Sequence, residues 1–92
     1  MSRVRVELPS VLEPVTGGRL ELELAADTFQ GALRALVEEL PSLRGHLFDE
    51  QGQFREHVLC FLNERNTRWL RGEDPALADG DRLRIMQAVS GG

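Results

Sequence analysis

Residues 3–8 have the sequence RVRVEL, in which polar and apolar side chains alternate at every position. Alternation with a period of two is typical of a β-strand that buries one face, here the face with the valines and the leucine. The same alternation returns in RLELEL, residues 19–24, after a long connection that ends with the Gly17-Gly18 turn. The two stretches are therefore predicted to form an antiparallel pair of strands.

A helix is predicted directly after this pair. Asp27 or Thr28 is a typical N-cap, and the apolar side chains that follow recur at helical spacing on one face. They are Phe29, Leu33, Leu36, Val37 and Leu40. Because Pro41 cannot continue a helix, we expect the helix to run from Thr28 to about Leu40.

The second half of the chain is predicted to hold shorter elements. Residues 41–56 are expected to form a loop with one short helical turn. HVLCFL, residues 57–62, is predicted to be a central strand, and residues 67–70 a short strand. Residues 74–77 are expected to form a single helical turn. A tight turn at Asp79-Gly80-Asp81, where glycine allows a positive φ, leads into the last strand.

The order of elements predicts the fold class. A hairpin followed by a helix that crosses one face of the sheet gives an α+β two-layer sandwich. We expect a mixed sheet of four or five strands and one main helix, with strands 3–8 and 82–86 parallel and adjacent at the centre. That is the β-grasp, or ubiquitin-like, arrangement. Residues 1–88 are assigned to this domain and residues 89–92 to a flexible tail.

Length and composition exclude several classes of protein. The chain has 92 residues, enough for one domain, and its net charge of −4 argues against nucleic acid as a partner. No segment approaches the ~20 apolar residues of a membrane helix, and the first ten residues lack an apolar signal core. We therefore expect a cytoplasmic protein. All 11 basic residues are arginines, which excludes lysine Schiff-base chemistry and leaves no lysine for attachment of another protein.

None of the usual catalytic residue types forms a convincing site. Cys60 is the only cysteine, so neither an intramolecular disulfide nor a multi-cysteine metal site can form. Alternation along its strand places Cys60 on the face that meets the helix, where a thiol is usually inert. His46 and His57 have no partners at metal-ligand spacing, and no general acid–base pair stands out. These residue types therefore predict neither a catalytic site nor a cofactor site.

An interaction surface is predicted on the open face of the sheet. The remaining side chains of strand 57–62 point away from the helix, and so do Arg82, Arg84 and Met86 on the last strand. An exposed apolar patch beside arginines usually marks an interaction site. The predicted partner-binding residues are Leu59, Phe61, Arg84 and Met86. The alternatives are that a loop covers this patch, or that its members are scattered surface residues.

The C-terminal third carries a resemblance to a known family. LADGD at residues 77–81, LRI at residues 83–85 and AVSGG at residues 88–92 resemble the ThiS/MoaD-type sulfur carrier proteins, which are ubiquitin-fold proteins that end in Gly-Gly. Within that family, LPSVL at residues 8–12, followed by TGG at residues 16–18, resembles the CysO branch in particular. Two departures are Gln87, where many relatives have proline, and Ser90, where alanine is common.

The resemblance implies a chemical role for the tail. An ATP-dependent adenylyltransferase would activate the Gly92 carboxylate, and a sulfur donor would then displace AMP to leave a thiocarboxylate. Ser90 and Gly91 would complete a narrow tail that reaches into a partner's active site. The sulfur would pass to a biosynthetic enzyme, for which the CysO branch suggests a PLP-dependent cysteine synthase. In that branch a metallopeptidase would release the product. The resemblance implies a co-substrate that is not itself an enzyme, and the carrier alone is expected to be a monomer.

Two other functions stay open for this fold. The chain could be the small subunit of molybdopterin synthase, in which case a large subunit would co-purify with it. It could also be a ubiquitin-like modifier or plain binding module, in which case protein conjugates would be found in cell extract, or Gly92 would have no chemistry. The identity of neighbouring genes would separate most of these possibilities.

Overall fold

The alternating stretch near the N-terminus forms strand β1, Ser2–Glu7, in the computed structural model, which describes residues 1–88. Val4 and Val6 are fully buried, as the alternation predicts. Strand β2, Glu21–Ala26, pairs with β1 in antiparallel register, with Val6 opposite Leu22. The predicted hairpin with a long connection is confirmed.

That connection has more regular structure than its sequence suggests. It contains a 3₁₀ turn, Ser10–Leu12, and a one-turn helix, α1, Glu13–Thr16. Gly17 ends α1 with a φ of 69°, in the left-handed region that favours glycine. Leu12 is almost fully buried, so this segment is packed onto the core and does not hang free.

The main helix, α2, runs from Phe29 to Glu39, close to the predicted bounds. Thr28 is the N-cap, and its Oγ1 accepts a hydrogen bond from the Gly31 N–H at 3.1 Å. Leu36 lies on the buried face of the helix and has no exposed surface. The helix packs mainly against β2, which makes it the second layer of the sandwich.

Residues 41–56 hold two short helical segments, where a single helical turn was predicted. A 3₁₀ turn, Pro41–Leu43, continues directly into helix α3, Arg44–Leu47. Leu43 and Leu47 lie four residues apart and are both fully buried. Burial of these two leucines on one helical face accounts for the extra turn.

The prediction of a short strand at residues 67–70 is wrong. Strand β3, Val58–Leu62, is followed by a two-residue strand, β4, Arg65–Asn66, and Thr67–Leu70 form a 3₁₀ turn. The Asn66 side chain accepts a hydrogen bond from the Arg68 N–H at 3.0 Å and so caps the turn. Thr67 and Leu70, three residues apart, are both buried, which suits a 3₁₀ period and not a strand period.

The helical turn predicted at residues 74–77 is also wrong. Ala76 forms an isolated antiparallel bridge with Thr28, and the Leu77 N–H donates to the Asp27 carbonyl at 2.8 Å. The segment is extended because these bonds tie it alongside the start of α2. Leu77 is buried there, which explains its apolar side chain without a helix.

The last strand, β5, Arg82–Gln87, completes a five-stranded sheet of order β2-β1-β5-β3-β4. β5 is parallel to β1 and antiparallel to β3. The predicted central pair of parallel strands is confirmed, and so is the β-grasp fold class. β3 lies inside the sheet, next to the short edge strand β4.

The turn before β5 fixes the start of that strand. Gly80 has a φ of 90°, as expected for the glycine of this turn. The Asp81 carboxylate accepts hydrogen bonds from the Ala78 N–H at 2.9 Å and from the Asn63 side chain at 3.1 Å. Since Asn63 follows β3 directly, its bond to Asp81 ties the turn to the end of the strand that pairs with β5. Within residues 1–88, no helix is both long and apolar enough to cross a membrane.

Candidate functional site

The face of the sheet opposite α2 carries the predicted apolar patch. In the β3–β5 register Leu59 lies opposite Met86, and Phe61 lies opposite Arg84. Leu59 and Phe61 are half-buried, Arg84 is exposed and Met86 is 44% exposed. The structure therefore brings all four predicted residues together, in two directly opposed pairs. We call this group of four the sheet-face patch.

Arginines on the same face differ in whether a carboxylate neutralises them. Arg82 Nε lies 3.3 Å from Glu7 Oε2, and Arg3 Nη1 lies 3.7 Å from Glu23 Oε2. No carboxylate of residues 1–88 lies within 4.0 Å of the Arg84 guanidinium, so its charge faces outward beside the apolar side chains. An acidic protein thus presents a locally basic and apolar surface at this place.

Sequence reasoning missed one residue of this surface, Arg5. It lies in register with Arg82 across the parallel β1–β5 pair, and within residues 1–88 it also forms no ion pair. Its outward direction could have been inferred from the RVRVEL alternation together with the predicted parallel pair.

The sheet-face patch lies close to the point where the chain leaves the sheet. Val58 pairs with Gln87, and the Ala88 N–H donates to the His57 carbonyl at 2.8 Å. The pair formed by Leu59 and Met86 is next to this end of the ladder. Four residues beyond Ala88 span at most about 14 Å of extended chain. A partner that binds the patch therefore also lies close to Ala88, where the segment that carries Gly92 begins.

The predictions for Ser90, Gly91 and Gly92, including a flexible tail at residues 89–92, lie outside the described residues. They remain predictions.

Cys60 is buried, as predicted, with 1% of its surface exposed. Burial raises the pKa of the thiol from 9.0 to about 12, and a hydrogen bond with Thr67 opposes this rise. The thiolate, which is the nucleophilic form, is therefore scarce at neutral pH. Cys60 fills the core and is unsuited to carry sulfur.

The buried thiol gives a test of the folded state. In the native protein at pH 8, Cys60 is expected to resist iodoacetamide, and to react rapidly after unfolding in guanidinium chloride. Because the folded pKa is raised, the thiol's contribution to stability is constant below pH 9 and is lost as the pH rises toward 12. Alkylation followed by mass spectrometry measures the first effect, and thermal unfolding at increasing pH the second. Rapid labelling of the native thiol would contradict this assignment.

The histidines do not assemble a site. His46 and His57 are both exposed, and the described part of the chain contains no group of three side chains suited to hold a metal ion. The chemistry that the described residues support is therefore recognition by the sheet-face patch.

Comparison with known proteins finds similarity along nearly the whole chain. Residues 6–92 match the ThiS family. The chain is 31% identical over 91 residues to the sulfur carrier protein CysO of Mycobacterium tuberculosis, covering 97% of this chain and 98% of that protein. It is 37% identical over 65 residues to small archaeal modifier protein 3 of Haloferax volcanii, covering 71% of this chain and 70% of that protein.

A solved structure extends the likeness to three dimensions. The structure of an Amycolatopsis orientalis BexX/CysO complex contains a chain that superimposes with a TM-score of 0.82 at 26% identity, covering 97% of this chain and 99% of that chain. The similarity therefore includes the whole sheet, with the two strands that carry the patch.

Proposed function

Because this chain belongs to the ThiS family, we propose that it is a sulfur carrier that works through a thiocarboxylate on Gly92. Its relatives are small sulfur carriers and ubiquitin-like modifiers, and the chain is accordingly a carrier of this class and not an enzyme. The finer steps below, with the residues that perform them, are our proposal.

The proposed chemistry activates a carboxylate that is by itself a poor electrophile. An oxygen of the Gly92 carboxylate attacks the α-phosphorus of ATP, pyrophosphate leaves, and an acyl-adenylate forms. Hydrosulfide, free or delivered by a donor, then attacks the acyl carbon, and the bond to AMP breaks. The net result replaces one carboxylate oxygen by sulfur. All of these steps occur in a partner's active site, since the described residues offer no catalytic group.

The sheet-face patch is proposed to dock on the ATP-dependent adenylyltransferase. Leu59, Phe61 and Met86 would bury apolar surface, and Arg84 would pair with a carboxylate of the partner. One observation carries this proposal: Met86, in the patch, is two residues before Ala88, where the described chain ends beside β3. Docking through the patch would place the root of the tail at a fixed position on the adenylyltransferase.

The partner that receives the sulfur is proposed from the CysO likeness. A PLP-dependent cysteine synthase would accept the sulfur, and a metallopeptidase would release the product from the carrier. That a CysO carrier has been solved in complex with BexX supports the idea that carriers of this shape bind another protein directly. Since activation consumes ATP, the proposal places the protein in the cytoplasm. Molybdopterin synthase small subunit is the alternative, to be recognised by a large subunit that co-purifies.

The function is tested by mass spectrometry of the intact protein. The chain is incubated with ATP, an adenylyltransferase of the source organism and a hydrosulfide donor. We expect the exchange of one oxygen for one sulfur, localised to the C-terminal peptide. A reaction without ATP is the control and should leave the mass unchanged. Sulfur on the Cys60 peptide, or no exchange with any adenylyltransferase of the source organism, would contradict the proposal.

A second candidate, a ubiquitin-like modifier, is favoured by the likeness to small archaeal modifier protein 3. In that case Gly92 would form amide bonds with lysines of other proteins. The absence of lysine from the 92 residues means that copies could not be linked to one another through lysine side chains. Tagged protein in cell extract would then show conjugates, stable to reducing agent, that carry a single copy on each site.

A further inference from the structure

Arg68 makes an unusual set of contacts for a residue on the exposed side of a 3₁₀ turn. Its Nη2 atom lies within hydrogen-bond distance of the carbonyl oxygens of Arg55 at 3.1 Å, Glu56 at 2.8 Å and Val58 at 2.8 Å, and since Nη2 carries two hydrogens, two of these carbonyls share one of them. One guanidinium group therefore binds three carbonyls of one short segment. Charge-assisted bonds of this kind are stronger than those between neutral groups.

These bonds compensate for the shortness of β4. Strand β4 pairs only with Phe61 and Leu62, so that within the described residues no strand lies on the β4 side of β3 at Val58, while β5 occupies the other side. A backbone carbonyl at such an edge has no N–H of a neighbouring strand to accept from, so it needs another hydrogen-bond donor or it bonds to water. The Arg68 guanidinium supplies that partner and extends the stabilised edge to the start of β3.

The segment that Arg68 holds is a turn, residues 55–58. The Val58 N–H donates to the Arg55 carbonyl at 2.9 Å, which closes the turn. Within it, the carbonyls on both sides of His57 bond to Arg68, while the His57 carbonyl itself accepts the Ala88 N–H. The same turn is thus fixed by Arg68 and holds the last described residue of the chain.

We propose that Arg68 is a positioning residue for the C-terminal segment. By fixing the turn at residues 55–58, it holds the His57 carbonyl in place, and through the bond to Ala88 it sets where the chain leaves the sheet toward Gly92. The consequence for adenylation rests on the proposed function, whereas the anchoring of Ala88 does not. The side-chain hydrogen bonds of Arg68 go to the turn at residues 55–58 and not to the sheet-face patch, so Arg68 is proposed to act through His57 and Ala88.

The anchoring is tested by amide hydrogen exchange in the free protein, measured by NMR. Arg68→Met keeps much of the side-chain stem and removes all the donors. We expect the Ala88 amide to exchange at least about tenfold faster, which corresponds to losing one hydrogen bond's stabilisation. The Leu8 amide, which donates to Leu20 in the distant hairpin, is expected to keep its exchange rate. Arg68→Lys, which retains a charged donor, should fall between the wild type and Arg68→Met.

Arg65→Met is the matched control, because Arg65 is an exposed arginine whose side chain makes no hydrogen bond within residues 1–88. Its exchange rates should equal those of the wild type. Unchanged exchange at Ala88 in Arg68→Met would overturn the proposal. So would an equal acceleration at Leu8, since that would show general loss of stability. If Arg68→Met does not fold, the comparison is made with Arg68→Lys.

Adenylation kinetics supply the second readout. A tail that leaves in the wrong direction should reach the active site less often, while the patch still docks. Arg68→Met is therefore expected to lower kcat about tenfold with an unchanged KM, in keeping with the sensitivity of reaction rates to small misplacements. A rise in KM with unchanged kcat would show that Arg68 serves docking and would overturn the proposed role. If the wild type itself is not adenylated, the proposed function fails, and hydrogen exchange still decides whether Arg68 anchors Ala88.

Discussion

Deleting Gly92 is expected to abolish adenylation while leaving the fold unchanged. The deletion moves the terminal carboxylate back by one residue, about 3.5 Å in an extended chain. Attack on the α-phosphorus of ATP requires near-contact geometry, and a misplacement of this size costs several orders of magnitude in rate. Adding one alanine after Gly92 should have the same effect, because it carries the carboxylate past the reacting position. ATP–pyrophosphate exchange and intact mass measure both variants.

Ser90→Ala is the control for this deletion. It changes the tail but keeps its length and its terminal carboxylate, so adenylation should continue at about the wild-type rate. Thermal unfolding should give the same Tm for all variants, because none of the core residues described for residues 1–88 is altered. Full activity in a chain that lacks Gly92 would end the sulfur-carrier proposal and leave an interaction module as the better account.

Phe61→Asp is expected to prevent productive docking on the adenylyltransferase. The substitution removes the central apolar side chain of the sheet-face patch, and the new carboxylate would lie opposite Arg84 and neutralise the charge proposed to bind the partner. We expect a loss of affinity of at least about 2 kcal/mol, or about 30-fold in the Kd, measured by calorimetry. Since Phe61 is half-buried, the variant should also lose about 1 kcal/mol of stability, which thermal unfolding will show.

Ala25→Asp is the control that separates the effect of the position from the effect of the added negative charge. Ala25 is exposed on β2, at the other side of the sheet, and β1 and β5 lie between it and β3. The variant adds the same negative charge on a strand about 14 Å across the sheet from β3, given a strand spacing of about 4.8 Å. Its Kd should be close to that of the wild type. A folded Phe61→Asp protein with unchanged Kd would move the docking surface away from these strands.

The two experiments and the Arg68 test report on different steps. Phe61→Asp should act on Kd and KM, Arg68→Met on kcat, and the deletion of Gly92 on the reaction itself. Separate effects on these parameters are expected if docking, positioning of the C-terminal segment and the reaction depend on different parts of the chain. Variants that changed all three parameters together would indicate loss of the native fold.

Several parts of this fold were predictable because their side-chain periods extend over enough residues. The alternation in residues 3–8 and 19–24 predicts the hairpin, and Thr28 with the apolar stripe after it predicts α2 and its cap. The same alternation, applied to β3 and β5, brought together the four residues of the sheet-face patch. Gly92 was also a sequence prediction, made from the resemblance of the last residues to a family.

The short elements were decided by tertiary packing. The sequence of residues 67–70 suits a strand, but the burial of Thr67 and Leu70 together with the Asn66 cap makes it a 3₁₀ turn. A segment of four residues gains too few internal hydrogen bonds to fix its own conformation, so contacts with the rest of the protein determine it. The same reason explains the second helical segment at residues 44–47, which follows from the burial of Leu47.

The hydrogen bonds that fix the C-terminal end of β5 could not be predicted from the sequence either. Arg68 donates hydrogen bonds to carbonyls 10 to 13 residues earlier in the chain, and the His57 carbonyl accepts a hydrogen bond from Ala88 at the ends of the neighbouring strands β3 and β5. A period in the sequence shows which face a side chain occupies, but it does not show which carbonyls that face meets. Hydrogen bonds between residues distant in sequence exist only after the sheet has formed and brought them within about 3 Å of each other. The sequence by itself therefore determined the layers and the outward face, and the tertiary structure alone determined how the exit of the tail is held.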